Sequence, residues 1–237
     1  MIYRYCRRWI LLLSVILFCG HGYQAYGMEQ FPRLIVSEKK IKQETDNYQL
    51  NIQYPITSNR SINRAIDRLI QKNIKIFKQE LSPIRISPDW RNELWCRYTT
   101  TQYSNRIGSF RFDIYTFTGG AHGNTEVITK TYDFKTGKEV IVTDLFYPKK
   151  DYLMQISELV RPKLTSQLEM PDLNWIQSGT APYPKNYRAY MLTPSGIVFV
   201  FQQYQVGPRV VGMPEVELKW EEIDKLLSMP FRYPIKS

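Results

Sequence analysis

The chain has 237 residues, with 32 lysines and arginines against 22 acids and a formal net charge of +10. Hydrophobic residues make up 43% and aromatics 14%, so a folded globular protein is expected, and low-complexity and disordered classes are excluded. With three cysteines and two histidines in all, a disulfide framework and a histidine-rich zinc centre are both excluded.

The first residues have the form of an export signal. Arg4, Arg7 and Arg8 precede the apolar run from Trp9 to Cys19, which is short for a membrane span. Ala25-Tyr26-Gly27 then has the small-x-small form of a cleavage site, so residues 1–27 are expected to leave, with no stable membrane anchor after cleavage; an uncleaved N-terminal anchor is the alternative. That removes His21, Cys6 and Cys19, leaving His122 and Cys96 each alone. Export also turns the basic charge away from nucleic acid and towards anionic envelope polymers, or towards solubility alone.

Residues 28–47 form a polar N-terminal extension. The expected domain runs from 48 to 230, as a first lobe of 48–104 and a second of 105–230. Tyr48 to Ile56 alternates apolar and polar residues, a half-buried strand ended by Pro55. Asn59 to Leu81 reads as a helix: Ile62, Ile66, Leu69, Ile70, Ile74, Phe77 and Leu81 share one face, and Arg64, Asp67, Arg68, Lys72, Lys75 and Lys78 the other. Asn59 or Ser61 caps its start and Pro83 stops it. Strands follow at 93–104 and 109–117. The second places Phe110, Phe112 and Ile114 opposite Arg111, Asp113 and Tyr115. A lone cysteine in the pattern Leu94-Trp95-Cys96-Arg97-Tyr98 reads as a buried, inert hydrophobe.

Tyr115-Thr-Phe-Thr-Gly-Gly-Ala-His-Gly-Asn124 is the most distinctive stretch. Three glycines within five residues indicate positive φ or close approach by another group. Tyr115, Thr118, Gly119, Gly120, His122, Gly123 and Asn124 are therefore candidate ligand-binding residues, joined by the aromatic Tyr204. Tyr98, Tyr103, Phe117 and Tyr132 are further aromatics on strands near the loop. The stretch 125–134 alternates again, Lys135-Thr-Gly-Lys138 is a tight hairpin, and 139–146 returns as a strand.

Lys149 to Met170 has helical spacing at Leu153, Ile156, Val160, Leu164 and Leu168, with a kink or break expected at Pro162. Residues 172–185 read as a loop with one short strand. Residues 187–192 and 197–203 form a hairpin around Pro194-Ser195-Gly196, 204–214 an irregular crossing, 216–219 a strand and 220–227 a short terminal helix. The predicted class is α+β: an antiparallel meander with two main helices packed on it and a short C-terminal helix.

No catalytic constellation emerges. A triad on His122 needs an acid such as Asp113 and a nucleophile such as Ser195 or Cys96, yet no Gly-x-Ser-x-Gly elbow occurs. Asp113, Asp133, Asp144 and Glu126 show no spacing that singles out a carboxylate pair. No metal and no cofactor are expected. His122 reads instead as a ring bonded to the loop backbone.

The glycine loop resembles a known family when taken with Thr131-Tyr-Asp-Phe-Lys-Thr-Gly-Lys138, Thr143-Asp-Leu-Phe146, Leu192-Thr-Pro-Ser-Gly-Ile-Val-Phe-Val-Phe-Gln-Gln-Tyr204, Val206-Gly-Pro208 and Gly212. These match the RsiV-like extracytoplasmic domain over residues 45–230. That family includes the lysozyme-sensing ectodomain of an anti-sigma factor and the non-catalytic N-terminal region of the deacetylase PdaC. Only eight residues precede the apolar run, and no deacetylase domain or set of metal-binding histidines follows. The resemblance therefore implies the fold and an extracytoplasmic binding role, without signalling or deacetylation. The expected function is an exported, non-enzymatic module binding a peptidoglycan-type glycan or a lysozyme-like protein. A hydrolytic enzyme using His122, or a structural envelope protein without a small ligand, are the alternatives.

Overall fold

The computed structural model describes residues 34–81, 91–148 and 151–232. The expected signal at 1–27, Pro83 and Lys149 lie outside them. All that follows concerns the compact unit Phe31–Ser237.

Six strands form the first sheet: β1 (Ile35–Glu44), β2 (Tyr48–Thr57), β3 (Asn92–Gln102), β4 (Ile107–Phe117), β5 (Asn124–Asp133) and β6 (Glu139–Val140). Their spatial order is their chain order. From β3 to β6 they make the expected antiparallel meander. β2 and β3 run parallel, because helix α1 (Arg60–Gln79) crosses between them. The polar extension supplies β1, an edge strand whose exposed Lys39, Lys40 and Lys42 guard against further pairing. β2 continues past Pro55 to Thr57.

Asn59 caps α1, its side-chain oxygen accepting from Ser61 N at 2.8 Å and Ile62 N at 3.3 Å. Its amide nitrogen donates to Phe134 O at 3.0 Å, fixing the helix start to the β5–β6 hairpin. Ile62, Ile66, Ile70 and Phe77 are buried against Leu50, Ile52, Leu94, Cys96, Phe110, Phe112 and Ile114. The predicted basic face is exposed.

A second, antiparallel sheet holds β7 (Tyr190–Leu192), β8 (Gly196–Val200) and β9 (Glu215–Lys219). Helix α2 (Tyr152–Gln167) packs Ile156, Val160 and Leu164 into a core with Leu145, Phe146, Tyr187, Phe199, Phe201 and Leu218. β7 meets the opposite face of the first sheet through hydroxyl groups. Leu192 N donates to Ser109 Oγ (2.9 Å), Thr101 Oγ1 donates to Leu192 O (2.8 Å), and Tyr190 N donates to Thr129 Oγ1 (2.8 Å). The first sheet is thus covered on both faces, which places the α+β class on structural ground.

Four local expectations are corrected. The strand expected over 139–146 is only two residues long: Asp144 accepts from Ile141 N at 2.9 Å and turns Val142–Leu145 into a 3-10 helix. α2 runs unbroken through Pro162, which is exposed, as is Glu158, whose carbonyl loses the helical partner and faces solvent. The stretch 172–185 contains no strand. Asp172 accepts from Trp175 N at 2.9 Å and starts α3 (Leu173–Gly179), and a 3-10 turn follows at Pro184–Tyr187. The terminal helix is two short ones, α4 (Trp220–Ile223) and α5 (Met229–Arg232), separated by a 3-10 turn. The hairpin at 103–106 lies between the two expected lobes, and both its strands belong to the first sheet.

Candidate functional site: the cleft at the glycine loop

The glycine loop joins β4 to β5, with Gly119 at φ 106° and Gly120 at φ 93°. Both lie in the region that L side chains rarely adopt. Gly123 is glycine for another reason: a Cβ there would sit 2.3 Å from the Tyr115 ring. Tyr115 projects from the face opposite α1, so the end of the loop closes over its ring.

A cleft of about 340 Å³ opens beside this closure. Tyr115 and Phe117 come from β4, Arg91 and Glu93 from the entry to β3, and Ala121, His122 and Gly123 from the loop. The register explains the grouping: Glu93 lies opposite Phe117 and Trp95 opposite Tyr115. The rings of Trp95 and Tyr115 are 6.0 Å apart. Arg91 is ion-paired with Glu44 of β1. His122 is exposed, and its Nδ1 lies 3.1 Å from Gly123 O, the backbone partner expected of it. From the 204–214 crossing, Arg209 Nη2 donates to the same carbonyl at 3.3 Å. Arg209 Nη1 and Trp95 Nε1 are buried and meet no acceptor among the described residues.

Of the residues singled out in the sequence, Tyr115, Phe117, His122 and Gly123 line this cleft. Thr118, Gly119 and Gly120 shape the loop, and Asn124 is exposed at the start of β5. Tyr204 lies elsewhere. It has φ 65°, and its carbonyl accepts from Trp175 Nε1 at 2.9 Å. Trp175 lines a separate, largely apolar groove of about 500 Å³ with Met170 and Val210. A third cavity of about 520 Å³ lies between the start of β1 and the paired strands β3 and β4, lined by Leu34, Tyr98, Gly108 and Phe134. Arg91, Glu93, Trp95 and Arg209 were not singled out for the site. The first three were legible only through strand register, and Arg209 only through the tertiary fold.

The groups a hydrolytic triad would need are dispersed. Cys96 is 2% exposed, and burial, reinforced by the Asp113 charge, pushes its thiol up to about 12. Ser195 donates to the carboxylate of Glu217. Asp113 is paired with Arg111 at 2.9 Å, and Arg111 also pairs with Glu215. The other candidate acids are engaged too: Asp133 by Arg106, Glu126 by Arg188 at 3.6 Å, and Asp144 by the turn backbone. Among the described residues no group of three histidine, cysteine or acidic side chains is placed to hold a metal ion.

Comparison with known proteins matches two family models in tandem. Residues 41–125 match the family described as deacetylase PdaC, and residues 143–221 a protein family of unknown function, DUF3298. The peptidoglycan-N-acetylmuramic acid deacetylase PdaC of Bacillus subtilis (strain 168) is 28% identical over 178 residues, which are 74% of this chain. The chain spans 38% of that relative's length. Among solved structures, a DUF3298 family protein from Pseudomonas aeruginosa PAO1 superposes with a TM-score of 0.64 at 14% identity, covering 85% of this chain and 97% of that one. A DUF3298 family member from Bacteroides fragilis NCTC 9343 superposes with a TM-score of 0.59 at 16% identity, over 81% and 93%. The first family match contains the glycine loop and the residues that line the cleft, and the second contains the β7–β9 sheet and Arg209: the chain is similar to a PdaC segment followed by a DUF3298 segment.

Proposed function

We propose that this chain is an exported, non-enzymatic binding module of the cell envelope, and that the cleft at the glycine loop recognises a peptidoglycan-type glycan. The observation that carries the reading is the grouping of Tyr115 and Phe117 with Arg91, Glu93 and His122 in one open cleft of about 340 Å³. A sugar ring offers an apolar C–H face and a rim of hydroxyl and amide groups. Aromatic rings with a few convergent polar side chains are the complement of that shape. Support also comes from the relative, whose name ties it to peptidoglycan N-acetylmuramic acid. A lysozyme-like protein is the weaker ligand: the chain carries a formal charge of +10, and a basic partner gains nothing from electrostatic steering.

The test is co-sedimentation of the purified protein with insoluble peptidoglycan, alongside capture on immobilised c-type lysozyme. The expected result is retention by peptidoglycan, weakened by Phe117→Ala and by His122→Ala, with no soluble sugar released. Retention by lysozyme alone would replace the glycan with a protein ligand. Release of soluble fragments that stops in a folded His122→Ala variant would replace binding with hydrolysis.

A further inference from the structure

We propose that a carboxylate subsite lies behind the glycine loop, adjoining the cleft, in which the Arg209 guanidinium and the Trp95 indole N–H receive a carboxylate carried by the glycan. This rests on the glycan reading of the same cleft and names the chemical class of glycan it selects.

The argument starts from donors without acceptors. The other arginines packed into this fold have partners: Arg106 with Asp133, Arg111 with Asp113 and Glu215, Arg91 with Glu44, and Arg161 with Thr180 Oγ1 at 3.0 Å. Arg209 has none of this kind. Among the described residues no acid pairs with it, its Nη2 spends one bond on Gly123 O, and its Nη1 is buried and unbonded. Trp95 Nε1 is likewise buried and unbonded. A buried donor left unpaired costs about 1–3 kcal/mol, and more on a charged group, so each of the two calls for an acceptor.

The two donors belong to one chain of contacts. Arg209 holds Gly123, Gly123 lies against the Tyr115 ring, and Tyr115 lies beside Trp95. The planar guanidinium fork matches a carboxylate. Glu93, in the same cleft, disfavours a dianion such as phosphate and leaves a monoanion the better fit. Access is from the loop side, where a Cβ built on Gly120 would meet nothing within 4 Å.

The experiment is calorimetric titration of the full chain with two oligosaccharides of equal length. One is an alternating N-acetylglucosamine–N-acetylmuramic acid oligomer, which bears carboxylates. The other is an N-acetylglucosamine oligomer, which bears none. The acidic oligomer is expected to bind about tenfold or more tighter, the range of one charge-assisted hydrogen bond. Arg209→Gln is expected to weaken the acidic oligomer about tenfold more than the neutral one, bringing the two affinities together. Trp95→Phe, which removes the indole N–H and shortens the ring, is expected to weaken the acidic oligomer more than the neutral one, and carries the test if Arg209→Gln fails to fold. Equal binding of the two oligomers by the natural chain would overturn the subsite and leave the glycan reading standing. So would equal weakening of both in the variants. Binding of neither oligomer would overturn both.

Discussion

At the scale of the residue, the three loop glycines do two different jobs, and substitution separates them. Gly119 and Gly120 are there for conformation, at φ 106° and 93°. Gly123 is there for contact, since its missing Cβ makes room for Tyr115. Gly123→Ala is expected to destabilise the fold by about 1–3 kcal/mol through overpacking and to shift the Tyr115 ring. Urea unfolding read by Tyr and Trp fluorescence measures this, and an unchanged midpoint would show that Tyr115 gives way freely. Asp133 supplies a pH dependence. Chiefly the Arg106 hydrogen bonds, against a smaller desolvation penalty and with help from backbone N–H groups of the hairpin, hold its carboxyl down to about 2, below the ordinary 3.8. A carboxyl depressed by folding contributes stability above its unfolded pKa and loses it as pH falls through its folded one. The loss from Asp133 therefore falls between about pH 4 and pH 2. Asp133→Asn is expected to lower the urea midpoint at pH 7 and to make the decline over that acid range shallower. The same slope in both proteins would remove Asp133 from the account.

At the scale of the element, periodicity carried the long segments and short-range turn chemistry decided the rest. α1 was legible because Ile62, Ile66, Ile70 and Phe77 repeat at helical spacing and become its buried face. β4 was legible because Phe110, Phe112 and Ile114 alternate and all turn towards α1. β1 was not, because an edge strand with lysines along it buries almost nothing and leaves no apolar pattern. α3 was hidden by its length of seven residues, its start visible only in the cap Asp172. At the loop, the glycines were legible and the cleft was not: Glu93 and Phe117 become neighbours only through the β3–β4 register. Pro162 marks where a local rule was overridden. A proline in a helix interior removes a backbone bond and crowds the preceding turn. α2 nevertheless continues, its buried Ile156, Val160 and Leu164 holding it on the second core. Pro162→Ala restores the N–H that Glu158 lacks, and is expected to raise the melting temperature, by about 1 kcal/mol or more in stability. An unchanged or lower melting temperature would mean that Pro162 is held by packing rather than tolerated at the solvent face.

At the scale of the whole molecule, the second core meets the first sheet along a seam that includes the buried cluster of Val127, Ala189, Met191 and Val200. α1 covers one face of that sheet, and β7 meets the other edge-on. A strand edge needs acceptors and donors, and here hydroxyl side chains supply them. Ser109 is at the centre: it is 1% exposed, its Oγ accepts from Leu192 N, and it exchanges a 2.8 Å bond with Thr131 Oγ1. The cleft depends on this seam, because Arg209 belongs to the second sheet's crossing and reaches Gly123 on the first. Any loosening of the seam therefore reaches the site without touching it. Ser109→Ala leaves Leu192 N buried and without its acceptor, at an expected cost of about 1–3 kcal/mol. If the two cores unfold as one unit, the variant shifts a single transition to lower urea, with near-UV and far-UV signals moving together. Hydrogen exchange should also quicken at the Gly123 loop, some way from the substitution. Two separated transitions would show instead that the sheets unfold independently. Unaltered exchange at the loop would then mean that the glycine-loop cleft keeps its shape without the second sheet, and that Arg209 does not hold it closed.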